Sequence, residues 1–188
     1  MIKRKIKIAF DILLVLCTLA TCFAFVDPAE WQIFESKEFQ FQMSFPDKPA
    51  FSTQLVNTAL GAMTLHIAQL DVSGDSTNPN LVYMINYTQF PDSINSDRKD
   101  KLDKFFDGSI AGMAKNVQGT VLSQKTIDYK GYPGREIRVD MPGQAVITAR
   151  LILIKSRYFN MMVMTAPTKE PNAGISKFFD SFESGQAK

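Results

Sequence analysis

Two consecutive stretches in the last quarter of the chain, residues 145–154 and 158–166, are apolar on both parities. In the first, Ile147, Ala149, Leu151 and Leu153 alternate with Val146, Ile152 and Ile154. A strand sends successive side chains to opposite faces, so a strand that is apolar on both needs cover on both. These two strands therefore belong mid-sheet, with a layer packed on each side. Lys155, Ser156 and Arg157 reverse the chain between them.

The remaining pattern supplies those layers. Residues 39–45, Phe-Gln-Phe-Gln-Met-Ser-Phe, alternate apolar and polar side chains and predict a strand with one buried face. Residues 51–58 and 62–72 flank Ala59-Leu60-Gly61 and predict a hairpin. A polar loop at 73–80 leads to a fourth strand at 81–90. After Pro91, Leu102, Phe105, Phe106, Ile110, Met113 and Val117 recur at helical spacing, with Ser96 or Asp97 as the expected cap. Asp97 with Lys101, Lys99 with Asp103, and Asp100 with Lys104 stand four apart on its polar face. Strands are predicted at 121–129 and 135–141, around a turn at 130–134 that contains the Tyr132–Pro133 bond. Pro142-Gly143 turns the chain into residues 145–154. A short helix at 172–182 closes it, with Ile175, Phe178, Phe179 and Phe182 as its inner stripe. Short turns make neighbours antiparallel. The expected fold is α+β, an antiparallel sheet of six to eight strands flanked by helices.

The N-terminus predicts export. Lys3, Arg4, Lys5 and Lys7 precede an uncharged run from Ile12 to Val26, the order of a signal segment. Three readings stay open. Cleavage after Ala24 would use Cys22 and Ala24 as the small residues. Lipidation would use Cys22, the last residue of Leu19-Ala20-Thr21-Cys22. An uncleaved anchor would span residues 8–26. All three leave residues 27–188 as a single globular domain outside the cytoplasm, in the periplasm or cell envelope.

Both cysteines, Cys17 and Cys22, lie in this leader, so the exported part has no thiol pair and must stand on its core. Removing residues 1–26 takes four of 21 basic and one of 19 acidic residues, leaving 17 against 18. A near-neutral body has no bulk electrostatic attraction to nucleic acid.

Trp31-x-x-Phe34-x-Ser36 is followed by Phe39-x-Phe41-x-Met43-x-Phe45-Pro46-x-x-Pro49. Further on come Leu60-Gly61, Tyr83-x-Ile85-x-Tyr87, Gly131-Tyr132-Pro133-Gly134-Arg135-Glu136 and Phe178-Phe179-Asp180-Ser181-Phe182. In this order the motifs resemble a family of exported bacterial proteins of unknown function with a PsbP/Mog1-like α/β/α sandwich. The resemblance covers nearly all of the exported part and implies fold and export. It carries over no catalytic residue, and the role of PsbP as an extrinsic photosystem subunit is not transferred.

Motif chemistry is sparse. His66 is the single histidine, and no G-x-S-x-G elbow accompanies it, which disfavours a hydrolase triad. Phosphate-cradling glycine loops are absent. No catalytic residue, metal ligand or cofactor is expected. Arg135 and Arg150 stand out because each lies within an apolar strand, where a guanidinium needs a charged or strongly polar partner. Each either pairs with a carboxylate such as Glu136, Asp128 or Asp140, or lines a pocket for an anion. The expected function is a non-enzymatic binding or accessory module of the envelope, taking an unidentified protein or small ligand and attached to the membrane if the leader is kept. The alternative is a hydrolase-like enzyme with a sparse Arg/Tyr/carboxylate site.

Overall fold

The computed structural model describes residues 30–58 and 61–185. The leader, with Cys17, Cys22 and its three readings, lies outside the described residues, as does the Leu60 of the first hairpin turn. The chain divides into Met1–Glu30 and Trp31–Lys188, and every element below belongs to the second unit.

Seven strands form one antiparallel sheet: β3 (Ala50–Thr58), β4 (Gly61–Asp71), β5 (Asn80–Gln89), β6 (Thr120–Tyr129), β7 (Tyr132–Met141), β8 (Ala145–Ile154) and β9 (Arg157–Thr165). Their order across the sheet is β3-β4-β5-β9-β8-β7-β6. The doubly apolar strands β8 and β9 are interior, as their patterning requires. All but one residue of β8 are buried. Helix α1 (Lys99–Asn116) covers one face through Phe106, Ile110 and Ala114, which pack on Ile137, Val139, Ile147, Ala149, Leu151 and Leu153.

The other face carries a second layer. Strands β1 (Gln32–Ser36), β2 (Phe41–Phe45) and β10 (Glu183–Ser184) make a small antiparallel sheet in the order β1-β2-β10. Helix α2 (Ala173–Asp180) lies beside it. Together they bury Phe41, Met43, Phe45, Ile175, Phe178 and Phe179 against Tyr83, Ile85, Ile152, Phe159, Met161 and Val163. Aromatic edges meet faces throughout, as between Phe41 and Tyr87, with centroids 4.8 Å apart, and Phe45 and Phe178, 5.1 Å apart.

Three local expectations are corrected. The alternating run at 39–45 is a strand only from Phe41, because Gln40 takes a left-handed φ of 53°. It also leaves the main sheet for the small one, a choice that alternation alone does not encode. The turn at 130–134 shrinks to Lys130-Gly131, with φ values of 52° and 86°. Both residues are left-handed, as a two-residue hairpin twisting with its strands requires. Pro133 and Gly134 join β7. A Cβ on Gly134 would stand 2.7 Å from the Leu151 carbonyl, so glycine there serves close strand packing. The one cis peptide among the described residues is Glu170–Pro171, and the Tyr132–Pro133 bond is trans. Finally, α1 starts at Lys99 without a side-chain cap. The Ser96 hydroxyl instead accepts from the Lys155 amide at 3.1 Å, and Asp97 meets Lys155 Nζ at 3.3 Å.

Candidate binding site

Strand β7 carries Arg135, Glu136 and Arg138, and its pleat divides them between the two faces. Arg135 points toward α1. Glu136 and Arg138 point toward α2, where β8 adds Thr148 and Arg150. The two arginines singled out by sequence thus occupy different clefts on opposite sides of one sheet.

The α2-side cleft has a volume of about 420 Å³ and is lined by Glu136, Arg138, Thr148, Arg150, Glu170 and Phe179, among others. Its charges are arranged in pairs. Arg150 Nε donates to Glu136 Oε2 at 2.7 Å, and a terminal nitrogen donates to Asp180 Oδ1 at 3.1 Å. The guanidinium also lies 4.9 Å from the centroid of Phe179, a cation–π geometry. Lys125 Nζ reaches the other Glu136 oxygen at 2.7 Å. Arg138 grips Glu170 with two parallel bonds of 2.9 and 2.7 Å, and Thr148 donates a third at 2.7 Å.

These contacts set the ionisation. Burial raises the Glu136 carboxyl, but hydrogen bonds from Lys125 and Arg150 outweigh it and leave the group below its ordinary 4.5. The Arg138 bonds hold Glu170 below 4.5 as well, against the opposing effect of burial. Both carboxylates are therefore ionised and paired at neutral pH.

The α1-side cleft, about 660 Å³, is lined by Asp97, Leu102, Asp103, Asp128, Tyr132 and Arg135, among others. Arg135 is only 7% exposed. One guanidinium nitrogen donates to the Gly134 carbonyl at 3.0 Å, and the other closes a tight pair with Asp103. Phe106 lies beneath it at 4.9 Å. The partner is thus a helix residue and none of the strand carboxylates that sequence offered. Arg150 does take one of the strand carboxylates that sequence offered, Glu136, because the two stand opposite each other in the β7–β8 register, and it adds Asp180 from α2.

His66 stacks on Tyr87 with centroids 5.0 Å apart and meets the edge of Phe39 at 4.8 Å. Its surroundings are aromatic. Arg157 escaped notice in the sequence because it sat in a turn signal. It is buried, and it donates to the Phe39 carbonyl at 2.6 Å and the Gly185 carbonyl at 3.4 Å. It thereby ties the residues just before β2 to those just after β10. Glu170 and Asp180 were also missed, since nothing local links a residue to a partner 30 or 32 positions away. Among the described residues no group of three or more His, Cys, Asp or Glu side chains is placed to hold a metal ion, and no helix is long and apolar enough to cross a membrane.

No family model matches this chain, and neither does any curated protein. Among solved structures it is similar to cyanobacterial PsbP (CyanoP) from Synechocystis sp. PCC 6803, at 10% identity and a TM-score of 0.56, over 86% of this chain and 96% of that one. The fold is PsbP-like, in agreement with the motif order. A Pseudomonas aeruginosa protein of unknown function, described as a putative regulator, overlaps 76% of this chain and 87% of its own at 11% identity, with a TM-score of 0.32.

Proposed function

We propose that this chain is an exported, non-enzymatic binding or accessory module of the cell envelope. The observation that carries the reading is the paired state of the α2-side cleft. General acid–base chemistry needs a group whose pKa lies near the working pH. Here Glu136 and Glu170 are pushed the other way, each held as an anion at neutral pH by the cations beside it. Such a cleft suits recognition: a ligand carboxylate or phosphate enters by displacing Asp180, the more exposed and more distant partner of Arg150. The basic-then-apolar leader supports export, and the PsbP-like fold is compatible with it.

Co-purification from envelope fractions, with mass spectrometry of what elutes, tests the reading directly. Arg150→Met is expected to keep the fold and lose the retained ligand. Undiminished retention by a well-folded Arg150→Met protein removes the cleft from the proposal. Intact mass distinguishes cleavage after Ala24, acylation at Cys22 and a retained anchor. A soluble cytosolic protein with its leader intact defeats export altogether.

A second reading is favoured by the α1-side cleft, where Arg135, Tyr132 and the carboxylates of Asp97, Asp103 and Asp128 line one cavity. That is the residue set of a sparse hydrolase-like site. Turnover in a hydrolase substrate screen, abolished by Asp103→Asn, would establish it in place of the module.

A further inference from the structure

The two edges of the large sheet are treated differently. Strand β6 has the devices that keep an edge from recruiting strands: its pairing shifts between Val121 and Ser123, and it carries Lys125 and Asp128. Strand β3 has none. It pairs with β4 residue for residue from Ala50 to Thr58, without a bulge. From Ala50 to Leu70 the chain has no proline and no formally charged residue, His66 being the single titratable side chain. Among the described residues no strand lies outside it. Its large apolar side chains are open to solvent, Phe51 at 54% and Leu55 at 71% exposure. An edge this long, regular and uncharged is a template for another strand.

We infer that β3 pairs antiparallel with β3 of a second copy of this chain, about a two-fold axis through Thr53. The occupant follows from charge and register. A charged peptide gains no electrostatic complement from β3, whereas two copies of β3 meet with no like charges opposed. With Thr53 opposite Thr53, Phe51 of each copy falls across from Leu55 of the other, Ser52 from Gln54, and Ala50 from Val56. Aromatic–aliphatic and threonine–threonine cross-strand pairs are favourable. Phe51, Thr53 and Leu55 share the face on which Phe51 already lies 6.2 Å from Phe34 and 6.2 Å from His66, so Leu55 of the partner extends that shelf. Pairing β3 with β6 of a second copy would instead propagate an open filament, which the bulge and charges of β6 oppose. The isologous arrangement closes, and joins two seven-stranded sheets into one. One strand and four large side chains make a small interface, so the dimer dissociates on dilution.

Sedimentation velocity on the full chain, over a concentration series, tests this. The expected result is a mass that doubles with concentration. Thr53→Lys and Thr53→Glu, at an exposed position, are each expected to stay monomeric with unchanged circular dichroism. Mixed in equal amounts they are expected to recover the doubled mass, because opposite charges then face each other on the axis. Leu55→Lys serves the same purpose should a Thr53 variant fail to fold. A monomer at every concentration overturns the inference. So does an oligomer indifferent to these substitutions, which places the contact elsewhere, in the leader for example. Capture of an unrelated extended peptide by a strictly monomeric chain overturns it too.

Discussion

Glu136 and Glu170 make the pH dependence of this fold calculable in sign. Each releases its proton more readily in the folded chain than in the unfolded one, where its ordinary value is 4.5. Their stabilising contribution is therefore complete above that value and is lost as pH falls through the lower folded values. Urea midpoints are expected to hold from neutrality down to about pH 5 and then drop. In Glu136→Gln/Glu170→Gln the drop should be shallower, leaving the part due to Asp71 and Asp75, which Ser73 and Thr77 hold below 3.8. An equally steep drop in the double variant would show that these two carboxylates are not its source. At this scale the sequence was legible where partners face each other across a ladder. Arg150 and Glu136 are such a pair. Arg135 was legible as a guanidinium in need of a partner, but Asp103 on α1 read as one member of a solvated helix face. Its choice between Lys99 and Arg135 is made by how α1 docks, which no local spacing records.

Elements differ in how much of themselves the chain spells out. Helix α1, helix α2 and the interior strands were legible because burial stamps a period on their side chains. Asn172 caps α2 by accepting from the Ile175 amide at 3.2 Å, within the predicted helix. Strands β1 and β10 were not legible as strands. Five and two residues long, they owe their form to pairing with β2 rather than to any pattern of their own. Glycines in the two helices separate local preference from packing. Gly112 in α1 is exposed and a Cβ there meets nothing within 4 Å, so Gly112→Ala should stabilise by about 0.5–1 kcal/mol through helix propensity. Gly174 in α2 is hemmed in. An added Cβ stands 2.7 Å from both Asn80 Nδ2 and Tyr83 Oη, which are themselves hydrogen-bonded to each other at 2.6 Å. Gly174→Ala should destabilise by roughly 1–3 kcal/mol despite the same propensity gain. Thermal or urea unfolding of both variants decides the matter, and equal signs would mean that the Asn80–Tyr83 pair yields easily.

The molecule as a whole has two apolar layers glued to one sheet, with Leu151 facing α1 and Ile152 facing the small sheet. Residues one apart on β8 thus belong to separate cores, yet share a backbone. Trp31, the single tryptophan, reports from the far side: its ring meets Tyr83 edge-on at 5.6 Å, and Lys177 lies 4.6 Å above it. Leu151→Ala should cost about 2–5 kcal/mol. If the layers melt as a unit, the Trp31 fluorescence midpoint falls by as much as the far-UV circular dichroism midpoint. A fluorescence transition left in place would reveal two independently melting halves. The small sheet has a bearing on biogenesis as well. Its middle strand, β2, is flanked by β1 from near the start of the folded unit and by β10 from its end. A polypeptide made from its N-terminus onward therefore keeps that patch of phenylalanines half-roofed until Glu183 and Ser184 are free. Whatever handles the nascent chain must shelter Phe41 and Phe45 for the whole interval.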